Sequence, residues 1–513
     1  MTHSPLNADT CVPRHPFKHA VVLGGSLAGL LAARVLADHF ETVTLIERDC
    51  YADTTEARRG IPQANHVHGL LLRGRQILEQ LFPGLQDEMI AAGAPLIDMA
   101  NDVAWLTPAG WGVRFPSKLN VLTFTRPMLD LHLRKRLEQD SRVTILENTK
   151  VVALARDPKK DRLTGVVIAN QNSHSDRVVG RTLDADLVVD TTGRGSAAPK
   201  WLSEIGYCKP EELVVDGHLG YASRLFTIPD QHSADWVCAI VQRAPPDRKR
   251  GGIIFCVEGK RWLVTLIGSG RESPPADENG FLEFARSLPT PIIYDAIKEA
   301  RPVSAIKTHQ ATQNRLRHYE RADRLPENFM LLGDAVCAFN PVYGQGMTVA
   351  AMGVIELDKT LRRLRKANIN GLSRRFQKQL AKLNKAPWMM ATSEDFRYQE
   401  TNGGCPGFKT RLMHKYIDRV MQLSTQKPDV RNTLLQVFSM LLPPTALFRP
   451  QILVQVLGLL RSGKEGPIRE ESRRLPKSLN GNHSQPGTTT MRHPHQTVKV
   501  SRRKLNSRSA PSS

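Results

Sequence analysis

The feature that most restricts the fold of this chain is a glycine-rich turn near its start. Residues 20–23 (AVVL) are predicted to be a buried strand, residues 24–29 (GGSLAG) a tight turn, and residues 30–40 an amphipathic helix. A second apolar run at 42–47 ends in the acidic Glu47. Strand, turn, helix and strand within about thirty residues form a βαβ unit, which requires a parallel sheet. The sequence therefore predicts an α/β fold of Rossmann type.

The same turn has the pattern of a dinucleotide-binding loop. Its backbone can approach a pyrophosphate, and the helix N-terminus offers unpaired N–H groups and a partial positive charge. An acidic residue at the end of the second strand can accept hydrogen bonds from ribose hydroxyls, which favours an adenosine without a 2′-phosphate. Ser26 replaces the middle glycine of the usual pattern, but it is small and adjoins Gly25. The alternative is a purely structural turn. The residues predicted to bind the dinucleotide here are Gly24, Gly25, Ser26, Ala28, Gly29, Glu47 and Arg48.

The rest of the chain separates into three regions with different patterns of predicted secondary structure. Helical spacing at 75–81 and 126–137 alternates with strands at 143–146, 151–155, 163–169 and 185–190. From about 205 to 300, alternating segments predict an antiparallel sheet with a hairpin turn at 258–260. After 301 a buried strand, a Pro/Gly loop and a helix at 347–364 follow, and 372–460 is predicted to be helical.

These secondary-structure patterns predict how the chain divides into domains. A dinucleotide-binding domain is split over 18–75, 121–204 and 301–371, and a substrate domain takes 76–120 and 205–300. C-terminal helices occupy 372–462, between a flexible N-terminus at 1–17 and a disordered basic tail at 463–513.

Charge and cysteine usage exclude several classes of protein. The net charge is +21, and residues 461–513 alone contribute twelve Lys/Arg against three Asp/Glu. That tail has no interleaved aromatic residues, so we expect no nucleic-acid partner. The seven cysteines include no C-x-x-C pair, so neither a zinc site nor a disulfide framework is predicted. No signal-like N-terminal segment or run of about 18 apolar residues occurs, so we expect a cytoplasmic protein, with membrane contact the less favoured case.

Three segments resemble a known group of flavoenzymes. Residues 328–347 (NFMLLGDAVCAFNPVYGQGM) look like the second flavin fingerprint of the group A flavoprotein monooxygenases. Residues 185–196 (ADLVVDTTGRGS) resemble the middle fingerprint of the geranylgeranyl reductase-like branch, and 60–69 (GIPQANHVHG) is similar to polyether-antibiotic epoxidases of the lasalocid and monensin type. The resemblance to those epoxidases covers about residues 18–460.

The resemblance implies FAD as cofactor and adds residues to the site. The sequence supports part of this independently, because Asp334 at a strand end can bind a ribitol or ribose hydroxyl. Gly344 and Gly346 can open a helix close to a flat ligand, where the helix N-terminus stabilises a reduced flavin. The residues implied to contact the cofactor are Arg126, Val151, Asp334, Pro341, Gly344, Gln345, Gly346 and Met347.

His66 and His68 are weak candidates for lining the flavin or substrate cavity. One residue separates them, so on a strand they would share a face and on a loop they would splay apart. No third ligand accompanies them, so no metal is predicted. Local hydrogen bonding is the alternative role, and no catalytic acid or base can be named.

Together these features predict an FAD-dependent monooxygenase. NAD(P)H would bind transiently as reductant, and one oxygen atom would go to an apolar substrate of polyketide or isoprenoid type, as an epoxide or hydroxyl. One alternative is a flavin-dependent reductase of isoprenoid double bonds, and another is a peripheral membrane flavin-binding protein without turnover. Flavin halogenation is disfavoured, because the two tryptophans that flank one residue shortly before Ile-Pro in that group are absent. The oligomeric state stays open.

Overall fold

The computed structural model describes residues 17–51, 53–54, 56–58, 60–157, 159, 161–170, 180–364 and 371–461. Apart from Phe17, the predicted flexible N-terminus lies outside these residues, and so does the predicted basic tail.

The described residues form helices and strands in the following order. The helices are α1 (Leu27–Leu36), α2 (Leu72–Leu81), α3 (Leu85–Ala91), α4 (Arg126–Glu138), α5 (Ala198–Glu204), α6 (Glu278–Arg286), α7 (Ile292–Ile297), α8 (Gly346–Leu364), α9 (Leu372–Asp395), α10 (Phe408–Ser424), α11 (Pro428–Phe438) and α12 (Pro450–Arg461). The strands are β1 (Phe17–Leu23), β2 (Phe40–Ile46), β3 (Leu96–Asp98), β4 (Val103–Thr107), β5 (Gly110–Trp111), β6 (Asn120–Leu122), β7 (Val143–Leu146), β8 (Thr149–Arg156), β9 (Leu163–Asn170), β10 (Arg181–Asp184), β11 (Leu187–Asp190), β12 (Glu212–Val215), β13 (Gly220–Thr227), β14 (Cys238–Val241), β15 (Arg250–Val257), β16 (Arg261–Gly268), β17 (Lys307–His309), β18 (Asn314–Arg317), β19 (Phe329–Leu331) and β20 (Cys337–Ala338).

A five-stranded parallel sheet organises the first part of the fold. Its strand order is β19-β11-β1-β2-β7, and all four neighbouring pairs run parallel. The two segments with flavin-like patterns, around Gly24 and Asp334, follow the carboxyl ends of β1 and β19. Carboxyl ends of parallel strands meet at one edge of a sheet, which is where such sheets bind ligands. The predicted α/β Rossmann-type fold is confirmed.

Helix α1 differs from its prediction in length and character. It ends at Leu36, and Phe40 instead begins β2, where its ring stacks on Phe17 at 5.4 Å between centroids. Nearly every residue of α1 is buried rather than only one face. The reason is that α1 packs against α8 and α4 as well as against the sheet.

A seven-stranded sheet contains the predicted antiparallel region. Its order is β17-β13-β16-β15-β14-β4-β5, with only the β14–β4 pair parallel among its neighbours. The predicted hairpin turn is confirmed, because Val257 pairs with Arg261 and Gly259 and Lys260 both have positive φ. Helices α6 and α7 cover one face and build a separate hydrophobic core with it.

Two segments pack differently from the domain boundaries that the sequence suggests. Residues 76–94, assigned above to the substrate domain, contribute Ile77, Leu78 and Met89 to the core around the parallel sheet. Strand β17, assigned to the dinucleotide-binding domain, extends the seven-stranded sheet by pairing with β13. Both differences arise from contacts between residues far apart in the chain, to which local periodicity is insensitive.

The predicted C-terminal helices are confirmed as α9 to α12. Helix α9 packs against α8, and α10, α11 and α12 share a small core of their own. Within the described helices, none combines the length and the apolar content that a membrane crossing requires.

Candidate functional site

The glycine-rich turn allows no larger residue at two positions. Gly24 has φ of +92°, and a Cβ added there would lie 3.0 Å from the carbonyl oxygen of Thr191. A Cβ on Gly29 would lie 1.8 Å from the carbonyl oxygen of Gly24. The turn therefore packs directly against both α1 and the end of β11, as a phosphate-binding turn requires.

Ser26 connects the turn to the start of α4. It is the N-cap of α1, but its side chain makes no capping hydrogen bond. Instead, Nη2 of Arg126 donates to Ser26 Oγ at 2.9 Å, and Nε of Arg126 donates to Asp130 at 2.8 Å. Arg126 is buried. The structure thus brings Arg126 to the glycine-rich turn, while its implied contact with the cofactor stays a prediction.

Glu47 is engaged with the backbone of the turn. Its Oε2 accepts from the N–H of Gly25 at 2.7 Å, and its Oε1 accepts from the N–H of Asp49 at 3.0 Å. Its Oε2 also lies 3.3 Å from Nη1 of Arg58, and a contact of this carboxylate with ribose stays a prediction. The next residue, Arg48, is exposed, and it makes no hydrogen bond or ion pair within the described residues.

Two side chains not predicted from the sequence cover this turn. The hydroxyl of Tyr51 donates to the carbonyl of Gly25 at 2.5 Å, and the guanidinium of Arg58 lies 4.3 Å from the Tyr51 ring centre. Burial raises the pKa of Tyr51, against the opposing effect of Arg58, so its hydroxyl stays a donor at neutral pH.

Val151 lies near the carboxyl end of β2. It is half-buried on β8, two residues after Thr149, whose N–H donates to the carbonyl of Glu47 at 3.0 Å. The implied contact of Val151 with the cofactor stays a prediction, and its position near Glu47 fits that role.

Asp334 follows β19 and has no hydrogen-bond partner for its carboxylate in the described residues. Burial raises its pKa, while the charges of Arg194 and Arg126 lower it. The side chain nevertheless stays partly accessible. A partly accessible carboxylate with no partner among the described residues is available to bind a ligand hydroxyl.

The two glycine-containing segments meet. A Cβ added at Gly333 would lie 3.1 Å from the Cβ of Ala28, and one added at Gly346 would lie 3.9 Å from Oδ1 of Asp334. Gly344 has φ of +62° and faces the backbone of Gly69, 3.8 Å from the position of an added Cβ. Segments 24–29, 66–69 and 333–346 therefore meet, and we call their junction the central cleft.

The residues around the central cleft fit a flat ligand with polar edges. Gly69 and Gly195 are two positions where an added Cβ would meet no atom within 4 Å. Oε1 of the buried Gln345 has no hydrogen-bond partner. Pro341 begins a turn that leads to α8, and Met347 is buried in the first turn of that helix. Glycine backbone without side chains leaves room for the flat ring system of FAD. The unpaired carboxylate and the unpaired amide oxygen can accept hydrogen bonds from its polar groups.

His66 and His68 lie on a loop after the short turn Pro62–Asn65, not on a strand. Nδ1 of His66 lies 2.7 Å from Oγ of Ser223, and Nδ1 of His68 lies 2.9 Å from the carbonyl oxygen of His66. Burial, assisted by His309, lowers the pKa of His66 to about 4. Burial, assisted by Arg126, lowers the pKa of His68 to about 3. Both rings are therefore neutral at pH 7, and their place in the cavity wall stays a prediction.

A buried polar network holds the loop that precedes α8. Asp395, at the end of α9, accepts from Asn314 Nδ2 at 2.6 Å and from the Tyr343 hydroxyl at 2.8 Å. Asn340 lies 3.4 Å from both oxygens of Asp395 and accepts from the Tyr221 hydroxyl at 2.9 Å. No local sequence pattern marks Asp395, which reaches this loop only through packing of the C-terminal helices.

Arg194 is a further residue at the cleft to which the sequence analysis assigns no role. It lies in the 185–196 segment, and its guanidinium donates to the carbonyls of Gln313 and Phe339. Its charge acts on both Asp334 and His309. Asp190, in the same segment, is fully buried and accepts hydrogen bonds from Thr192 and Ser196, so it shapes the turn rather than facing a ligand.

On the face of the seven-stranded sheet opposite α6 and α7, five neighbouring strands each contribute one residue to a row that runs across the sheet. We call it the transverse row: Ser223, Thr265, Ile253, Ile240 and Trp105. Its polar end lies at His66, and its other three members are half-buried apolar side chains. Four strand spacings of about 4.8 Å make the row about 19 Å long. Its apolar members also pack within the protein, Trp105 and Ile240 in the cluster around Ile97 and Ile253 in the cluster around Tyr221, and each of the three stays partly accessible.

Three comparisons place the chain among known proteins. A family model described as FAD binding domain matches residues 18–368. Protein Rv3254 of Mycobacterium tuberculosis is 33% identical over 431 residues, which cover 83% of this chain and 90% of that protein. The residues matched by the family model include segments 24–29, 66–69 and 333–346.

Solved structures share the fold at low sequence identity. The flavin-dependent brominase Bmp2 superposes with a TM-score of 0.61 at 12% identity, over 87% of this chain and 99% of its own. PqsL from Pseudomonas aeruginosa, a probable FAD-dependent monooxygenase, gives 0.56 at 18% identity, over 74% and 98%. The flavin-dependent halogenase CmlS gives 0.57 at 17% identity, over 87% and 77%.

Proposed function

The chain belongs to the FAD-binding domain family and is an FAD-dependent oxidoreductase of monooxygenase type, and from that premise we propose its reaction. We propose that it transfers one oxygen atom to an apolar substrate, with NAD(P)H as the reductant. Epoxidation is the expected outcome, because residues 60–69 resemble polyether epoxidases. The substrate classes that we propose are polyketide and isoprenoid alkenes.

The observation that carries the proposal is the junction of the central cleft with the transverse row. The cleft presents bare backbone and the unpaired carboxylate of Asp334, whereas the row presents Ile253, Ile240 and Trp105. An apolar molecule lying along the row would have one end beside the cleft at Ser223. That arrangement suits transfer of an atom from a bound flavin to an alkene.

The protein's own groups bind, orient and exclude water. Bound FAD supplies the hydride acceptance and the activation of oxygen. Backbone N–H groups of the glycine-rich turn would hold the pyrophosphate, and Asp334 a hydroxyl of the ribitol. The N-terminus of α8, at Gly346, provides partial positive charge beside the cleft. The neutral rings of His66 and His68 keep this wall free of charge, which favours an apolar substrate.

The test combines cofactor content with oxygen labelling. Purified protein should retain FAD and oxidise NAD(P)H faster when a long-chain alkene is present. With ¹⁸O₂, the product should contain one labelled oxygen atom. Saturation of the double bond under anaerobic conditions would instead identify the reductase alternative, and protein that binds no FAD would refute both.

A second proposal concerns location at a membrane surface. Helix α10 exposes Phe408 (74%) and Leu412 (59%), which lie one turn apart on the same face. The exposed cations Lys409, Arg411 and Lys415 lie on the same helix. Apolar side chains flanked by cations match an anionic lipid surface.

Liposome flotation tests this location. Full-length protein should float with vesicles containing phosphatidylserine more than with pure phosphatidylcholine vesicles. The double variant Phe408→Ser/Leu412→Ser should lose flotation and retain FAD. Equal flotation of wild type and variant, or a shift of the wild type to a dimer that the variant abolishes, would refute membrane contact through this face.

A further inference from the structure

The far end of the transverse row is closed by α11. Phe438 of α11 stacks on Trp105, with 5.8 Å between ring centroids. The guanidinium carbon of Arg431, two turns earlier on the same helix, lies 5.5 Å from the Trp105 ring centre. It also lies against Gly112, where an added Cβ would come within 2.0 Å of it. Arg431 therefore sits beside the last member of the row, opposite to the His66 end.

Arg431 is buried without a partner. Its side chain is 1% exposed, and neither Nε nor Nη2 has a hydrogen-bond acceptor. Within the described residues no carboxylate lies at ion-pair distance, and burial alone lowers the pKa of Arg431 to about 10. The buried Arg126, Arg317 and Arg114 each pair with a carboxylate instead. A buried guanidinium with no acceptor is costly, which points to a partner other than the residues that the structure describes.

The free edge of Arg431 has the geometry of a carboxylate receptor. Nε and Nη2 lie on one edge of the planar guanidinium, so they can donate two parallel hydrogen bonds to the two oxygens of one carboxylate. Both nitrogens are enclosed by protein, so we expect the stacked rings of Trp105 and Phe438 to separate when an anion binds.

We propose that Arg431 binds the carboxylate of the substrate, so that the substrate is a long amphipathic carboxylic acid. Its apolar body lies along the transverse row, and its reacting double bond lies at Ser223 and His66, about 19 Å from Trp105 at the Arg431 end of the row. This inference rests on the proposed function, and it adds a head group and a direction of binding to the apolar substrate.

The test compares an acid with its uncharged ester on the FAD-loaded protein. Oleic acid and methyl oleate have the same apolar body, and binding is followed by the change in the flavin absorption spectrum and by the shift in Tm. Wild type should bind the acid on the order of 100-fold more tightly than the ester, which is the usual loss when one partner of a buried charge pair is removed. The variant Arg431→Met should bind both with the weaker affinity, and Arg431→Lys should show an intermediate preference.

Stability separates a binding role from a purely structural one. Arg431→Met has similar volume and removes an unpaired buried charge, so its ligand-free Tm should equal or exceed that of wild type. The control Arg411→Met, at an exposed position on α10, should leave the preference for the acid unchanged.

Three results would overturn the inference: no binding of oleic acid to wild type, no preference for the acid, or a preference that survives in Arg431→Met. FAD content and NAD(P)H oxidation are measured on the same preparations. Normal values there, with no acid preference, would refute the role of Arg431 and leave the proposed function standing.

Discussion

The buried His66 should make the protein lose stability in mild acid by an amount that the structure predicts. Burial lowers its pKa to about 4 in the folded protein, whereas an unfolded histidine has a pKa of about 6.5. Well above pH 6.5 the ring is neutral in both the folded and the unfolded protein, so its protonation does not affect folding stability. As the pH falls from 6.5 toward 4, the unfolded state binds the proton first, so folding stability decreases.

The magnitude follows from the difference in pKa. At pH 5, the loss is about 1.5 units × 1.36 kcal/mol, or roughly 2 kcal/mol. His68, whose pKa is lowered to about 3, adds a separate loss of the same sign. For a chain of this size 1 kcal/mol corresponds to about 1 °C in Tm, so His66 alone should lower the Tm by about 2 °C between pH 7.5 and pH 5.

The variant His66→Asn tests this directly. Its amide can keep a hydrogen bond near the Nδ1 position toward Ser223, but it does not titrate. We expect a lower Tm at pH 7.5 from the lost ring, and a decrease between pH 7.5 and pH 5 that is about 2 °C smaller than in wild type. His218→Gln, at a partly exposed ring 3.6 Å from Asp216, is the control and should keep the wild-type decrease. Equal pH dependence of wild type and His66→Asn would refute the reasoning.

Three further variants probe the cleft. Asp334→Ala should weaken FAD binding at least about tenfold. It should not lower the ligand-free Tm, because the carboxylate that it removes has no hydrogen-bond partner in the part of the chain that the structure describes. Flavin fluorescence titration measures the affinity, and an unchanged affinity would contradict the role of Asp334. Gly195→Ala adds a methyl group at an exposed position two residues after Gly193, which lies near Asp334, and should impair FAD binding but not folding. Gly407→Ala, which also meets no neighbouring atom, is the control and should impair neither. Retained FAD in the first variant would show that the ligand lies elsewhere. Asp395→Ala leaves at least two buried donors unpaired and should lower the free energy of unfolding by about 3 kcal/mol. This corresponds to a Tm lower by about 3 °C, with weaker FAD retention. An unchanged Tm would mean that the network does not stabilise the protein.

Features that depend on short stretches of chain were predictable. The turn at Gly24, the position of Asp334 after a buried strand and the hairpin at 258–260 each lie within one strand-turn unit. Their geometry follows from which residues tolerate positive φ and which apolar runs become buried. The extent of α1 was not predictable in this way, because its periodicity continues to Phe40 while pairing with Phe17 places that residue in β2.

The sequence by itself determined the class of fold, the cofactor family and the two backbone segments that meet at the cleft, because these depend on interactions between near neighbours. Only the tertiary structure decided which distant side chains complete the site. His66 contacts Ser223 across 157 positions, Asp395 contacts Asn314 across 81, and Arg431 lies against Gly112. Such contacts arise from the packing of whole sheets and helices, and the spacing of residues along the chain carries no information about them.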